Sequence, residues 1–254
     1  MFGFKWEFRG VDHGRRDVLR GALGAGVTLV FGRKGGDAFD KQGKEEKVER
    51  KMLDSFDDLK KSPEDVYLLL FEPDNRPGGA DDFIADGAKA VGYAGPNHWH
   101  SEVMYFDQAK RQWMVMGCRP PTCTKDYPLG DLLKNPAYKN CPINIKHAKV
   151  PVDRQLEARK WFTEHLQGEV YKLSGPDKTN CSDAAAELAK EAKMDGVEKI
   201  EVLTRRRLLG IPGLSGFLQK YQIGNLDQFL RRDDLLFPDE LESLGKYVGT
   251  IIVR

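Results

Sequence analysis

Apolar positions fall into runs and stripes that predict a mixed helix and strand protein. Val66 to Phe71 is an unbroken apolar stretch of strand length behind Ser62-Pro63, and it predicts a strand buried on both faces. From His100 onward, Val103 and Tyr105 alternate with Glu102, Met104 and Phe106, and "QWMVMG" follows after "DQAKR". That pattern predicts an antiparallel hairpin. "INIKHAKVPV" predicts a further strand, and "YVGTIIVR" a last one. Ala158, Trp161, Phe162, His165 and Leu166 share one face of a helix over 154–167 that Gly168 ends, and Ala184, Ala185, Leu188 and Ala192 do the same after Cys181. Phe83 to Val91 predicts another helix, "FPDELESLG" a helix start at Pro238, and 118–140 a long surface loop with one helical turn at "GDLLKN".

The first 61 residues are of another kind. Residues 40–61 are dense in Lys, Glu and Asp, while Val48, Met52, Phe56 and Leu59 keep helical spacing, which predicts a charged helix with one apolar stripe. Earlier, "RRDVLRGALGAGVTLVFG" from Arg15 resembles a twin-arginine export signal. No A-x-A cleavage site follows, and the apolar part is shorter than the ~20 residues that span a bilayer. Two readings stand, an export signal and a part of the mature protein; the missing cleavage site favours the second. We therefore divide the chain into an N-terminal extension, 1–61, and a main domain, 62–254, to which any catalytic role falls.

Composition narrows the partners. Forty Lys plus Arg against 39 Asp plus Glu leave a net charge of +1, so no global field favours nucleic acid or an anionic membrane. The basic run "TRRRLLG" at 204–210 reads as a solvated turn between helices rather than a nucleic-acid site. Four cysteines in 254 residues are too few for a disulfide scaffold. Cys118, Cys123 and Cys141, with His147 beyond, leave three readings: a zinc set of poor spacing, a disulfide within the loop, and, best fitting, uncombined thiols.

Cys181 sits where "TN" meets an alanine-rich helix. A helix N-terminus stabilises a thiolate, and an adjacent imidazole does so further. His100 and Glu102, two apart on a strand, share a face, so the carboxylate can orient the imidazole. His98 has the same parity and is the rival base. Taken singly, each has a plain alternative: a packed cysteine, and a solvated His and acid on a strand edge.

Together, "WHSEVMYF", "ARKWFTEHLQGEVYKL" and "NCSDAAAEL" in this order resemble the circularly permuted, NlpC-type papain-like cysteine hydrolases, in particular the YiiX/YaeF-like branch, related to the lecithin:retinol-acyltransferase-like proteins. The likeness runs over roughly 62–254; "GDLL" and "FPDEL" add little to it. The resemblance implies an α+β permuted papain-like fold, an antiparallel sheet packed against helices. It implies Cys181 as nucleophile, His100 as base, Glu102 as orienting acid and Tyr171 as an oxyanion donor, with no cofactor and no metal. It further implies an amide substrate, foremost a bacterial cell-wall peptide, in a secreted or periplasmic protein, with an immunity or secretion-carrier protein as partner and no transmembrane span. The alternatives are a lipid acyltransferase or thioesterase of the same fold, with "LLGIPGLSGFLQKY" as its apolar groove, and a non-catalytic binding module. Alanines after Cys181-Ser182, where relatives carry bulkier residues, and "WMVMG" where the acyltransferases place a second His, are departures from the pattern.

Overall fold

The computed structural model describes residues 50–73, 98–119, 121–171, 179–200, 203–204, 212–220, 234–236 and 238–253. The chain divides into two compact units, Met1–Lys44 and Glu45–Arg254, and every described residue belongs to the second. Its frame is a six-stranded sheet in the order β4-β3-β2-β1-β5-β8, antiparallel at every pairing. The strands are β1 (Asp65–Phe71), β2 (His100–Asp107), β3 (Gln112–Arg119), β4 (Thr122–Pro128), β5 (Pro142–Lys149) and β8 (Lys246–Ile252). Two short strands, β6 (Leu203–Thr204) and β7 (Asp234–Leu235), pair separately.

β1 lies inside the sheet for the reason its sequence suggests. All seven of its residues are buried, so neither face can tolerate a charge that lacks a partner. Leu68 and Leu70 join Val103, Tyr105 and Met116 on one face, against α2 (Val152–His165) and α3 (Cys181–Glu191). Phe162 of α2 is fully buried there, a burial that contributes about 1.5–3 kcal/mol. The alanines of α3 leave little bulk, so its backbone can lie close to β2 and β3. Tyr67, Leu69 and Phe71 face the other way, against α1 (Leu129–Leu133), Tyr138 and Leu59. A last helix, α4, spans Pro212–Lys220.

Three expectations need correction. Residues 50–61 are not a striped helix: they run extended except for a 3-10 turn at Phe56–Asp58, with Met52 bridging Thr250 of β8 and 53% exposed. A complete capping box at Ser55 and Asp58 starts that turn, and backbone bonds between Leu53, Lys51 and Thr250 give the segment a strand's partners instead of a helix's. Second, 118–140 is not one loop, because Thr122–Pro128 pairs with β3 as the outer strand of the sheet. Its polar, Pro-ended sequence is that of an edge strand, which shows no apolar alternation. Third, the thiols there are not all uncombined: Cys118 and Cys123 lie opposite one another in the register and form a disulfide, while Cys141 keeps its thiol, directed at the Ala137 carbonyl. The helix expected at 83–91, the stripe position Val48 and the basic run at 205–210 lie outside the described residues, and "PDELES" forms a 3-10 helix, Pro238–Ser243.

Candidate active site

Asn180 begins α3 by accepting the backbone N–H of Asp183 on its side chain at 3.0 Å, which places Cys181 at the first helical position. The first N–H groups of a helix have no acceptor within it, and they carry its partial positive charge. His100 is the first residue of β2, opposite Phe71 at the end of β1, and Glu102 is two residues along, opposite Leu69. The fold brings these ends together: the Cys181 thiol and the His100 ring, both 2% exposed, lie near enough to shift one another's pKa. Tyr171, which follows the bridge between Val170 and Thr122, lies beside Cys181, and burial and then the thiol raise its phenol pKa. All four residues singled out in the sequence therefore meet.

His100 Nε2 lies 3.0 Å from Glu102 Oε1, so Nδ1 is the nitrogen left for the thiol. Burial alone would push the imidazolium pKa down; the Cys181 sulfur and then the Glu102 carboxylate outweigh it and raise it to about 9. Burial would raise the Cys181 pKa, but the His100 cation, its hydrogen bond and the Ser101 backbone N–H lower it. Burial likewise opposes Glu102 ionising, and the hydrogen bond from His100 with the nearby Arg119 charge lowers its pKa. The arrangement favours a resting thiolate, imidazolium, carboxylate and guanidinium in alternating sign.

Sequence reasoning missed three members of this site. Arg119, at the end of β3, donates from Nη1 to Glu102 Oε1 at 2.9 Å, and its guanidinium lies 4.1 Å from the centre of the Tyr127 ring. Gly117 leaves the space the carboxylate occupies: a Cβ there would fall 2.2 Å from Glu102 Oε2. Tyr138 packs against Phe71, Trp99 and His100, with ring centroids 4.9, 5.5 and 5.4 Å away, and burial followed by the nearby Glu102 raises its phenol pKa. Tyr171 is raised in the same way, by burial and then by Cys181, so its hydroxyl stays a donor. Only cross-strand register shows the roles of Arg119 and Gly117; an Arg ending a strand and a Gly inside one were the available signals.

His98 is engaged elsewhere. The Asn144 amide gives one N–H to Glu72 Oε1 at 2.7 Å and the other to His98 Nε2 at 2.9 Å, while its oxygen accepts from Thr250. Nδ1–H of His98 then donates to Asp239 Oδ1 at 3.1 Å. His98 Nδ1, Asp239 and Glu242 offer ligand atoms within 4.8 Å of one another, the donor set among the described residues nearest to a metal site. With Nε2 accepting from Asn144, the nitrogen facing the carboxylates carries a proton, so buried His98 and Asp239 clamp the 238–243 turn onto the start of β2.

No family model matches the chain, and no curated protein matches it. A solved structure similar to it is that of the metalloprotein yiiX (DUF1105) from Escherichia coli O157:H7, 13% identical, covering 76% of this chain and 98% of that one, with a TM-score of 0.49.

Proposed function

We propose that the chain is a cysteine hydrolase of the permuted papain-like, NlpC-type fold that cleaves an amide bond, with a bacterial cell-wall peptide as the substrate class. The observation that carries the chemistry is the alternating series Cys181, His100, Glu102 and Arg119, which readies a thiolate in a buried place. The substrate class and a secreted or periplasmic setting rest on the resemblance of "WHSEVMYF" and "NCSDAAAEL" to the YiiX/YaeF-like branch. No helix among the described residues is long and apolar enough to cross a membrane.

In this reading the Cys181 thiolate attacks the amide carbon, and the carbonyl oxygen takes the negative charge between the Cys181 backbone N–H and the Tyr171 hydroxyl. His100 passes its proton to the leaving nitrogen as the C–N bond breaks, which leaves a thioester and a neutral imidazole. Water then attacks the thioester, His100 takes its proton, and the sulfur departs as thiolate, restoring the pair. His98, with both ring nitrogens committed, takes no part.

Incubation with purified peptidoglycan and mass analysis of soluble products tests this. Peptide fragments released by the wild-type chain and absent with Cys181→Ala are the expected result. Identical products from both would overturn the mechanism, and no release from any peptidoglycan type would overturn the substrate class.

A further inference from the structure

A buried cluster of thiolate, imidazolium and carboxylate carries one net negative charge, which a low-dielectric interior opposes strongly. Arg119 removes that excess. Its Nη1 and His100 Nε2 meet at the same Glu102 oxygen, at 2.9 and 3.0 Å. The guanidinium is itself held: its side chain is 9% exposed, it stacks on Tyr127, and the Cys118–Cys123 disulfide closes the hairpin directly beside it. Glu102 Oε2 and Arg119 Nη2 are buried without a hydrogen-bond partner among the described residues, so the contact runs through Oε1 alone and ties Arg119 to the imidazole's own acceptor.

We propose that Arg119 is a positioning residue for the reaction: by sharing Glu102 Oε1 with His100 Nε2, it holds that carboxylate on the ring and balances the charge of the Cys181–His100 pair. This rests on the cysteine-hydrolase reading above. Arg119 does not touch the reacting sulfur; it acts through Glu102.

Charge gives this role a signature that a packing role lacks. Removing the guanidinium leaves the cluster more negative, so every acid in it holds its proton more tightly. Both the pH at which Cys181 loses its proton and the pH at which His100 loses its own must rise. Glu102→Gln removes a negative charge, and both must fall. The double variant restores the balance and returns both toward the wild type.

The test follows the ultraviolet absorbance of the Cys181 thiolate across pH, as the difference between each variant and the same variant carrying Cys181→Ala, with kcat/KM against pH on any turned-over peptide. For Arg119→Met we expect both limbs to move up by about one pH unit, a tenfold loss of thiolate on the acid side. Glu102→Gln should move both limbs down, and the double variant should fall between them. Arg119→Lys, which keeps the charge, should keep the limbs near the wild type even if it melts earlier. Limbs that stay in place in a folded Arg119→Met, or move the same way in both single variants, overturn the role of Arg119. Absence of a low-pH thiolate in the wild type instead overturns the hydrolase reading on which it rests.

Discussion

Glu102 carries a carboxylate into a place with no exposed surface, and three neighbours make that tolerable: the His100 ring, the Arg119 guanidinium and the absent side chain of Gly117. Its effect on the reaction passes through the His100 proton. Because that proton is retained up to about pH 9, kcat/KM should rise as Cys181 ionises, hold through neutral pH and fall as His100 deprotonates near 9. In Glu102→Gln the alkaline fall should move to lower pH, and the plateau should drop within the ~10²- to 10⁴-fold range of acid–base assistance, with thermal melting run alongside. An unchanged alkaline limb would remove Glu102 from the mechanism. Gly117→Ala approaches the same carboxylate from behind. Its methyl group would overlap Glu102 Oε2, so a loss of activity comparable to that of Glu102→Gln is expected, with about 1–3 kcal/mol of overpacking strain seen in chemical denaturation. Adding Glu102→Asp withdraws the carboxylate and should recover the stability but not the rate.

Among the elements, the β3–β4 hairpin shows what periodicity can and cannot reveal. β3 alternates apolar residues on two buried faces and was legible; β4, Thr122–Pro128, is half-buried at the sheet edge and reads as a loop because only one of its seven residues is fully buried. Its place depends on pairing that a single-strand pattern does not contain: the Cys118–Cys123 bond and Asp126, which accepts the Tyr105 hydroxyl and two bonds from Arg159 of α2. The disulfide closes a short loop, so the constraint it places on the unfolded chain contributes about 2 kcal/mol. Reduction, or Cys118→Ala with Cys123→Ala, should lower the free energy of unfolding by that much, read by chemical denaturation. It should also reduce activity, since Arg119 is the next residue. A reduced protein as active and stable as the oxidised one would show that the bond is incidental to the site.

Over the whole molecule, β1, β2, β3, β5, β8 and the helices at 152–165 and 181–191 could be read from apolar runs and stripes, and so could the candidates Cys181, His100 and Glu102, from helix start and strand parity. Residues 50–61 misled because their stripe keeps helical spacing, whereas Leu53, Phe56 and Leu59 are packed against the sheet by backbone pairing with β8. The choice between His98 and His100 was beyond the sequence as well: the two share parity, and it takes Asn144 and Asp239, 46 and 141 residues away, to show that His98 has no nitrogen to spare. The proposed mechanism requires the thiol of Cys181 to be ionised by His100 and reachable by an electrophile. The direct measurement is the rate of Cys181 alkylation by iodoacetamide against pH, mapped by mass spectrometry in the wild type and in His100→Ala, with Cys141 as the internal comparison. An ionised Cys181 should label rapidly well below the ordinary thiol pKa of ~8.5, and labelling should fall about a hundredfold near pH 6.5 in His100→Ala as the thiolate fraction reverts to that of a free cysteine. Labelling of Cys181 that rises only near pH 8.5 and ignores His100, or no labelling at any pH, would contradict that mechanism.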